Sequence, residues 1–272
     1  MNNLVMLKNV ETLKDSMNYI SKNLMNEVED SIENSEIYFD YDWPEFDYGK
    51  VVEPRTLVTI TKDRSFTAAI KNKNSFDRIA VLNFANAFYP GGGVERGCTA
   101  QEESLCRIST LYPVISSDKL SDFYNYNADN DVDDRGTDSL IYSKDIVIFK
   151  SDTDEPELLP KDEQMKVDVI TMAAPDLRDA MMTNIELYSI HFKRAMHMLS
   201  CAAAEEANVL ILGALGCGAF ENDPRVVAKA WRDAIKIFPK VFMKIEFAIY
   251  GSNVNYQSFA TWFGGKEVIY ED

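Results

Sequence analysis

Asn83–Thr110 reads NFANAFYPGGGVERGCTAQEESLCRIST. The apolar run Ile79-Ala80-Val81-Leu82-Asn83-Phe84 leads into it and reads as a buried strand. Three consecutive glycines follow, Gly91, Gly92 and Gly93, then seven residues, then Gln101-Glu102-Glu103. A turn needs one glycine and occasionally two. Three in a row let backbone N–H groups approach a bound oxygen, and a helix N-terminus downstream favours an anion. The stretch is not a dinucleotide fingerprint, because the third glycine position falls on Arg96. It is not a P-loop, because Gly97 is followed by Cys98 rather than Lys. Thr99-Ala100-Gln101-Glu102 has the form of a capping box, which would give Glu102 a structural use. Glu103 is left over. Adjacent helical residues point about 100° apart, so the two carboxylates cannot do the same job, and one can bind while the other reacts.

Outward from this stretch, strands alternate with helices. Residues 9–34 carry helical periodicity, and 35–55 read as an irregular acidic and aromatic segment. Strands are expected at 57–61, 79–84, 167–173, 208–212 and 245–250. A hairpin or two short strands are expected at 139–142 and 145–149. Helices are expected within 63–73, 100–111, 117–126, 184–206, 224–237 and 254–263. Asp223 and Pro224 have the form of an N-cap and first helical residue. The pattern implies an α/β domain with a mixed sheet, in which ligands bind where strand ends run into helices. A second glycine-rich loop, Gly213-Ala214-Leu215-Gly216-Cys217-Gly218-Ala219-Phe220, occupies such a position. Its alternating glycines suit either an anion-binding nest or a tight turn.

Composition narrows the function classes. The net charge of −16 disfavours non-specific nucleic-acid binding and anionic membranes, and no apolar run is long enough for a membrane span. Four cysteines without CxxC spacing, and no signal-peptide pattern, imply reduced thiols and a cytoplasmic protein. Cys217 reads as a small buried thiol rather than a nucleophile. No metal cofactor is expected. His191 and His197 are six apart on one helix, and the acidic stretch 129–138 places Arg135 where a calcium loop needs oxygen.

The triple glycine followed by Gln101-Glu102-Glu103, with Asn83 before it, resembles the signature of poly(ADP-ribose) glycohydrolases. GALGCGAFEND resembles the diphosphate loop of their microbial branch. The resemblance implies a macrodomain-like three-layer α/β/α catalytic domain with a mixed central sheet over 55–272, and a helical accessory segment over 1–54. It implies poly(ADP-ribose) or an ADP-ribosylated macromolecule as substrate, ADP-ribose as product and no cofactor. Glu103 would be the general acid and Glu102 a ribose ligand beside Gln101. Asn83 and Gly91, Gly92 and Gly93 would hold the distal ribose. Gly216, Cys217 and Gly218 would give N–H groups to the diphosphate, Ala219 beside them would also meet substrate, Phe220 would wall the terminal ribose, and Tyr250 would stack on adenine. Near the two loops only Arg96, Arg107 and Arg225 stand out as cations. A short pocket for one chain-terminal unit therefore fits better than a long groove. The same scaffold would also suit removal of single ADP-ribose groups from protein or nucleobase, or binding without cleavage.

Overall fold

The computed structural model describes residues 3–44, 56–264 and 267–269. The chain opens with α1 (Asn3–Asn23) and α2 (Met25–Glu33), where the periodicity over 9–34 predicts one helix. Leu24 leaves helical geometry at φ −137° and buries its side chain, so that α1 (Leu13, Ile20) and α2 (Val28) both reach one core. The irregular reading of the acidic segment is corrected in part. Glu36–Tyr38 form β1, an antiparallel edge strand tied down by the Tyr38 hydroxyl on Glu205, at 2.7 Å. Residues 45–55 of that segment lie outside the described residues.

Next come β2 (Leu57–Thr61), α3 (Ser65–Asn72), β3 (Ile79–Ala85), α4 (Gln101–Ile108), α5 (Leu111–Ile115), α6 (Ser121–Asn130) and β4 (Leu140–Ile148). The helix expected over 100–111 breaks after Ile108. There Ser109 turns extended and the Thr110 N–H bonds the Val147 carbonyl, stitching the chain to β4. The predicted hairpin at 139–149 is instead a single strand. A bulge between Ser143 and Ile146 puts Asp145 at φ 58°, and the Asp168 carboxylate accepts the Asp145 N–H that the bulge frees. β5 (Met165–Ala173), α7 (Asn184–Ala204), β6 (Val209–Leu212), α8 (Pro224–Ile235), β7 (Lys244–Ala248), α9 (Asn253–Trp262) and β8 (Glu267–Ile269) complete the chain. Asp223 caps α8 with Pro224 in its first turn, as its sequence predicts.

Among the described residues the strands form one mixed sheet in the order β1-β4-β5-β3-β6-β7-β2-β8. The five central strands are parallel, and the outer ones run antiparallel to their neighbours. Both faces are covered, which is why β3 and β6 read as unbroken apolar runs rather than alternating ones. Ala80 and Leu82 of β3 pack with α7, α8 and α9; Ile79 and Val81 pack with α1 through α6. The result is three layers, α/β/α. β3 lies between β5 and β6, so successive connections depart to opposite sides of it and open a crevice at its carboxyl end.

The N-terminal helix braces the back of the glycine loop. Asn9 Nδ2 donates to the Gly97 carbonyl (3.0 Å), and Ser16 Oγ donates to the Arg107 carbonyl on α4 (2.6 Å). Gly97 sits at φ +78° with the Met6 carbonyl where a Cβ would go. Gly97→Ala should therefore cost about 2–4 kcal/mol, combining left-handed strain with a backbone clash. Urea denaturation measures it, and a loss within error of zero would show that α1 does not press on the loop.

Candidate active site

The carboxyl ends of β3, β5, β6 and β7 converge on a cleft of about 620 Å³. The first glycine loop forms one wall, the second the opposite wall, and α4 presents its first turn between them. Glu102, Glu103, Gln101, Gly92, Gly93, Gly216, Gly218, Ala219, Phe220 and Tyr250 all line it. Asn83, Gly91 and Cys217 do not.

The first turn of α4 is tied to β3 side chain by side chain. Gln101 Oε1 accepts the Phe84 N–H (2.9 Å), and its Nε2 donates to the Leu82 carbonyl (2.7 Å). Glu102 Oε2 accepts the Asn86 N–H (2.8 Å), and Oε1 accepts from Asn83 Nδ2 (3.2 Å). The capping box read in the sequence is absent: the N-cap is Ala100, with no side-chain cap, and Glu102 is spent on β3 and the loop after it. Glu103 Oε1 accepts the Gly93 N–H at 2.9 Å, and its Oε2, though buried, has no partner among the described residues.

The glycine loop fits tightly over this turn. Gly91 and Gly92 take φ +69° and +58°. A Cβ on Gly92 would fall 2.8 Å from Glu103 Oε1 and 3.0 Å from Glu102 Oε2. Only bare backbone lets both carboxylates seat here. Gly91 packs under the Tyr112 ring, and Asn83 acts on the cleft through Glu102, with its own Oδ1 buried and unpartnered.

In the second loop, the N–H groups of Gly216, Gly218, Ala219 and Phe220 make no hydrogen bond among the described residues, so they form a nest open to an anion. Cys217 departs from the expected role. Its N–H is already bonded to the Ala214 carbonyl (3.0 Å), and its side chain packs on the core, where burial pushes the thiol pKa up. Gly216 is at φ +76°, with Ala174 and Asn222 where a side chain would go, whereas a Cβ on Gly218 would meet nothing within 4 Å. Asn222 clamps the loop by donating to the Pro175 and Phe220 carbonyls (2.8 and 2.9 Å) while accepting from His191 Nε2 (2.7 Å). Burial lowers the His191 pKa to about 4, so the ring is neutral and its Nε2–H is fixed as the donor. His197 bonds the Asp138 carbonyl (2.8 Å), and Asp138 pairs with Lys193 (2.7 Å) and Arg194 (3.1 Å).

Sequence reasoning missed several site residues. Arg178, from the loop after β5, holds Asp176 and lies 5.6 Å from the Phe220 ring centre. Arg64 lies 4.1 Å over Tyr250, which is itself 57% exposed. Phe84, Asn86 and Asn255 also line the cleft. Phe84 and Asn86 lie within the stretch that begins at Asn83, whereas Arg64, Arg178 and Asn255 stand outside both glycine motifs and are brought near by the sheet order.

Two adjacent carboxylates in the first turn of α4 thus stand in a cleft at the carboxyl edge of a three-layer α/β/α sheet, the arrangement of a macrodomain-like fold. Residues 7–151 match the family described as microbial-type PARG, catalytic domain. Solved structures agree. The poly(ADP-ribose) glycohydrolase of Thermomonospora curvata superposes with TM-score 0.84 at 25% identity, over 94% of this chain and 99% of that one. The same enzyme bound to the inhibitor ADP-HPD gives 0.83, also at 25% identity and with the same coverage. The poly(ADP-ribose) glycohydrolase of Deinococcus radiodurans in complex with ADP-ribose gives 0.78 at 29% identity, over 87% and 96%. Comparison with curated proteins gives no match. The chain belongs to the microbial-type poly(ADP-ribose) glycohydrolase catalytic-domain family.

Burial pushes the Glu102 carboxyl up to about 8, and the neighbouring Glu103 charge adds to this, against the bonds from Asn86 and Asn83. In the unfolded chain the same group ionises near 4.5. The folded state therefore keeps its proton through the interval between, and stability from this group is lost as pH rises from about 4.5 to 8. Glu102→Gln removes the titration. Its stability relative to wild type should rise by on the order of 3 kcal/mol between about pH 5 and pH 8. Parallel stability–pH curves in chemical denaturation would refute the burial account.

Proposed function

We propose that the protein hydrolyses the ribose–ribose O-glycosidic bonds of poly(ADP-ribose), mainly from the chain end, releasing ADP-ribose. The observation that supports this most is the division between the adjacent carboxylates. Glu102 has both oxygens held by β3 and its loop. Glu103 is anchored through Oε1 to Gly93 and keeps Oε2 free of protein partners in the same cleft. An anchored carboxyl with one free oxygen suits a proton-transfer group.

In this reading Glu103 gives its proton to the 2′ oxygen leaving from the adjacent unit while the distal ribose takes oxocarbenium character. The carboxylate then takes a proton from the incoming water. Glu102, pinned and buried, orients ribose hydroxyls through its remaining lone pairs, and Asn83 holds Glu102 in place. The N–H nest of the second loop takes the diphosphate, which brings the distal ribose under the glycine loop. Phe220, backed by Arg178, closes the wall that favours a terminal unit, and Tyr250 offers a face to adenine.

Glu103→Gln keeps shape but cannot exchange the proton. Turnover on poly(ADP-ribose) should fall at least about 100-fold, while ADP-ribose affinity in calorimetry changes little. Near-normal turnover would remove Glu103 from the role. Running the assay beside mono-ADP-ribosylated protein, with products identified, separates polymer cleavage from removal of single groups. Gly218→Val adds a branched side chain only to the open side of the loop. It should leave thermal stability unchanged and weaken ADP-ribose binding at least about tenfold; unchanged affinity would make the loop a turn without a ligand.

A further inference from the structure

The outward face of α8 takes no part in the cleft chemistry. In a chain with 44 acidic and 28 basic residues, this helix reverses the balance. Arg225, Lys229, Arg232 and Lys236 recur at intervals of three and four, opposite a buried face of Val227, Ala228, Trp231 and Ala234. The only acids within 223–236 are Asp223 and Asp233. Asp233 is shared by Lys229 (2.7 Å), Arg232 (3.7 Å) and Lys236 (3.7 Å), so positive charge is left over. The adjoining helix α9, NVNYQSFATW, carries no ionised side chain at all.

Aromatic rings accompany these cations. Lys229 lies 4.2 Å over Tyr188, and Arg232 lies 5.6 Å from the Trp262 ring centre, around a groove of about 500 Å³. Lys62 lies 4.9 Å over Tyr256 on α9. The series reaches the cleft. Asn255, in the first turn of α9, donates to the Cys217 carbonyl (3.2 Å) in the second glycine loop, and Trp262 ends the helix against α8. A ten-residue helix spans about 15 Å, so the groove lies one or two nucleotide lengths from the cleft rim.

Cations held in place over aromatic rings, and so available to successive diphosphate groups, are what a flexible polyanion needs from a surface. We infer that the α8–α9 face is an accessory binding track for the poly(ADP-ribose) chain that continues from the terminal unit held in the cleft. The inference rests on the polymer reading above. It supplies a local attraction where the field of a −16 molecule repels the substrate at long range. The track touches no reacting atom, so its contribution grows with chain length.

The test compares wild type with a Lys229→Gln/Arg232→Gln/Lys236→Gln variant, using labelled long poly(ADP-ribose), the ADP-ribose dimer and free ADP-ribose. Between 50 and 200 mM salt, wild-type binding of long chains should fall about 20-fold more than that of the variant, a slope difference of about 2. Dimer turnover and ADP-ribose affinity should be equal in the two proteins. A Lys229→Arg/Arg232→Lys exchange should behave as wild type. Equal losses on dimer and long polymer, no loss on either, or failure of the charge-conserving exchange would overturn the track. So would single-stranded DNA of matched charge displacing the polymer as well as the polymer itself does, which would make this a general nucleic-acid surface. Failure of the polymer reading has a different signature: no hydrolysis by wild type, with the chain-length-dependent binding difference still present.

Discussion

The site depends on one steric constraint. Two adjacent carboxylates on the first turn of α4 must be seated against a loop that leaves no room for a side chain at Gly92. From there the Gly93 N–H reaches Glu103, and the Asn86 N–H reaches Glu102. These bonds fix two side chains that would otherwise repel and rotate apart. The cost of burying Glu102 shows in its raised pKa, and that of Glu103 in an oxygen without a protein partner. α1 enters the same constraint from behind, because Gly97 can pass under Met6 and Asn9 only as glycine.

The opposite wall is built differently. There the groups facing the cleft are N–H donors, left without a partner among the described residues while the backbone is held still. Asn222 does this from beneath, bonded to two carbonyls and to a neutral, buried His191. None of the side chains that hold the nest contributes a charge. The wall therefore offers dipoles without a counter-ion that would compete for the ligand.

Much of this was legible in the sequence for physical reasons. The parallel strands announce themselves because both faces are buried, and the two glycine loops because Gly91, Gly92, Gly97 and Gly216 take a left-handed φ that other residues rarely adopt. Gln101-Glu102-Glu103 stood out because two carboxylates side by side need separate uses. What failed were features decided by distant partners. Thr99 and Glu102 have the spacing of a capping box, but β3 is nearer and takes Glu102. The break at Ser109 is set by β4, and the bulge at Asp145 by Asp168 on the next strand. Cys217 lies inside the right motif, yet its N–H closes the turn itself. Arg64 and Arg178 stand far from either motif in sequence, and the stripe on α8 becomes a surface only once α9 and α7 place rings beside it.

The strand order also governs how this chain is made. β2 lies between β7 and β8, and roughly 190 residues separate Leu57 from its partner Lys244, an interval of about 10–40 s at ordinary rates of synthesis. During that interval β2 is an apolar strand with both edges unpaired. β3, β4 and β5 can already pair with one another, and α1 can already settle against α4. The first turn of α4 and the loop over it are therefore complete early on the ribosome. The second glycine loop, carried between β6 and α8, and the strands that close the sheet arrive last. Nascent chains would therefore hold a half-sheet with an open edge, and the cleft gains its second wall only after β6 is made.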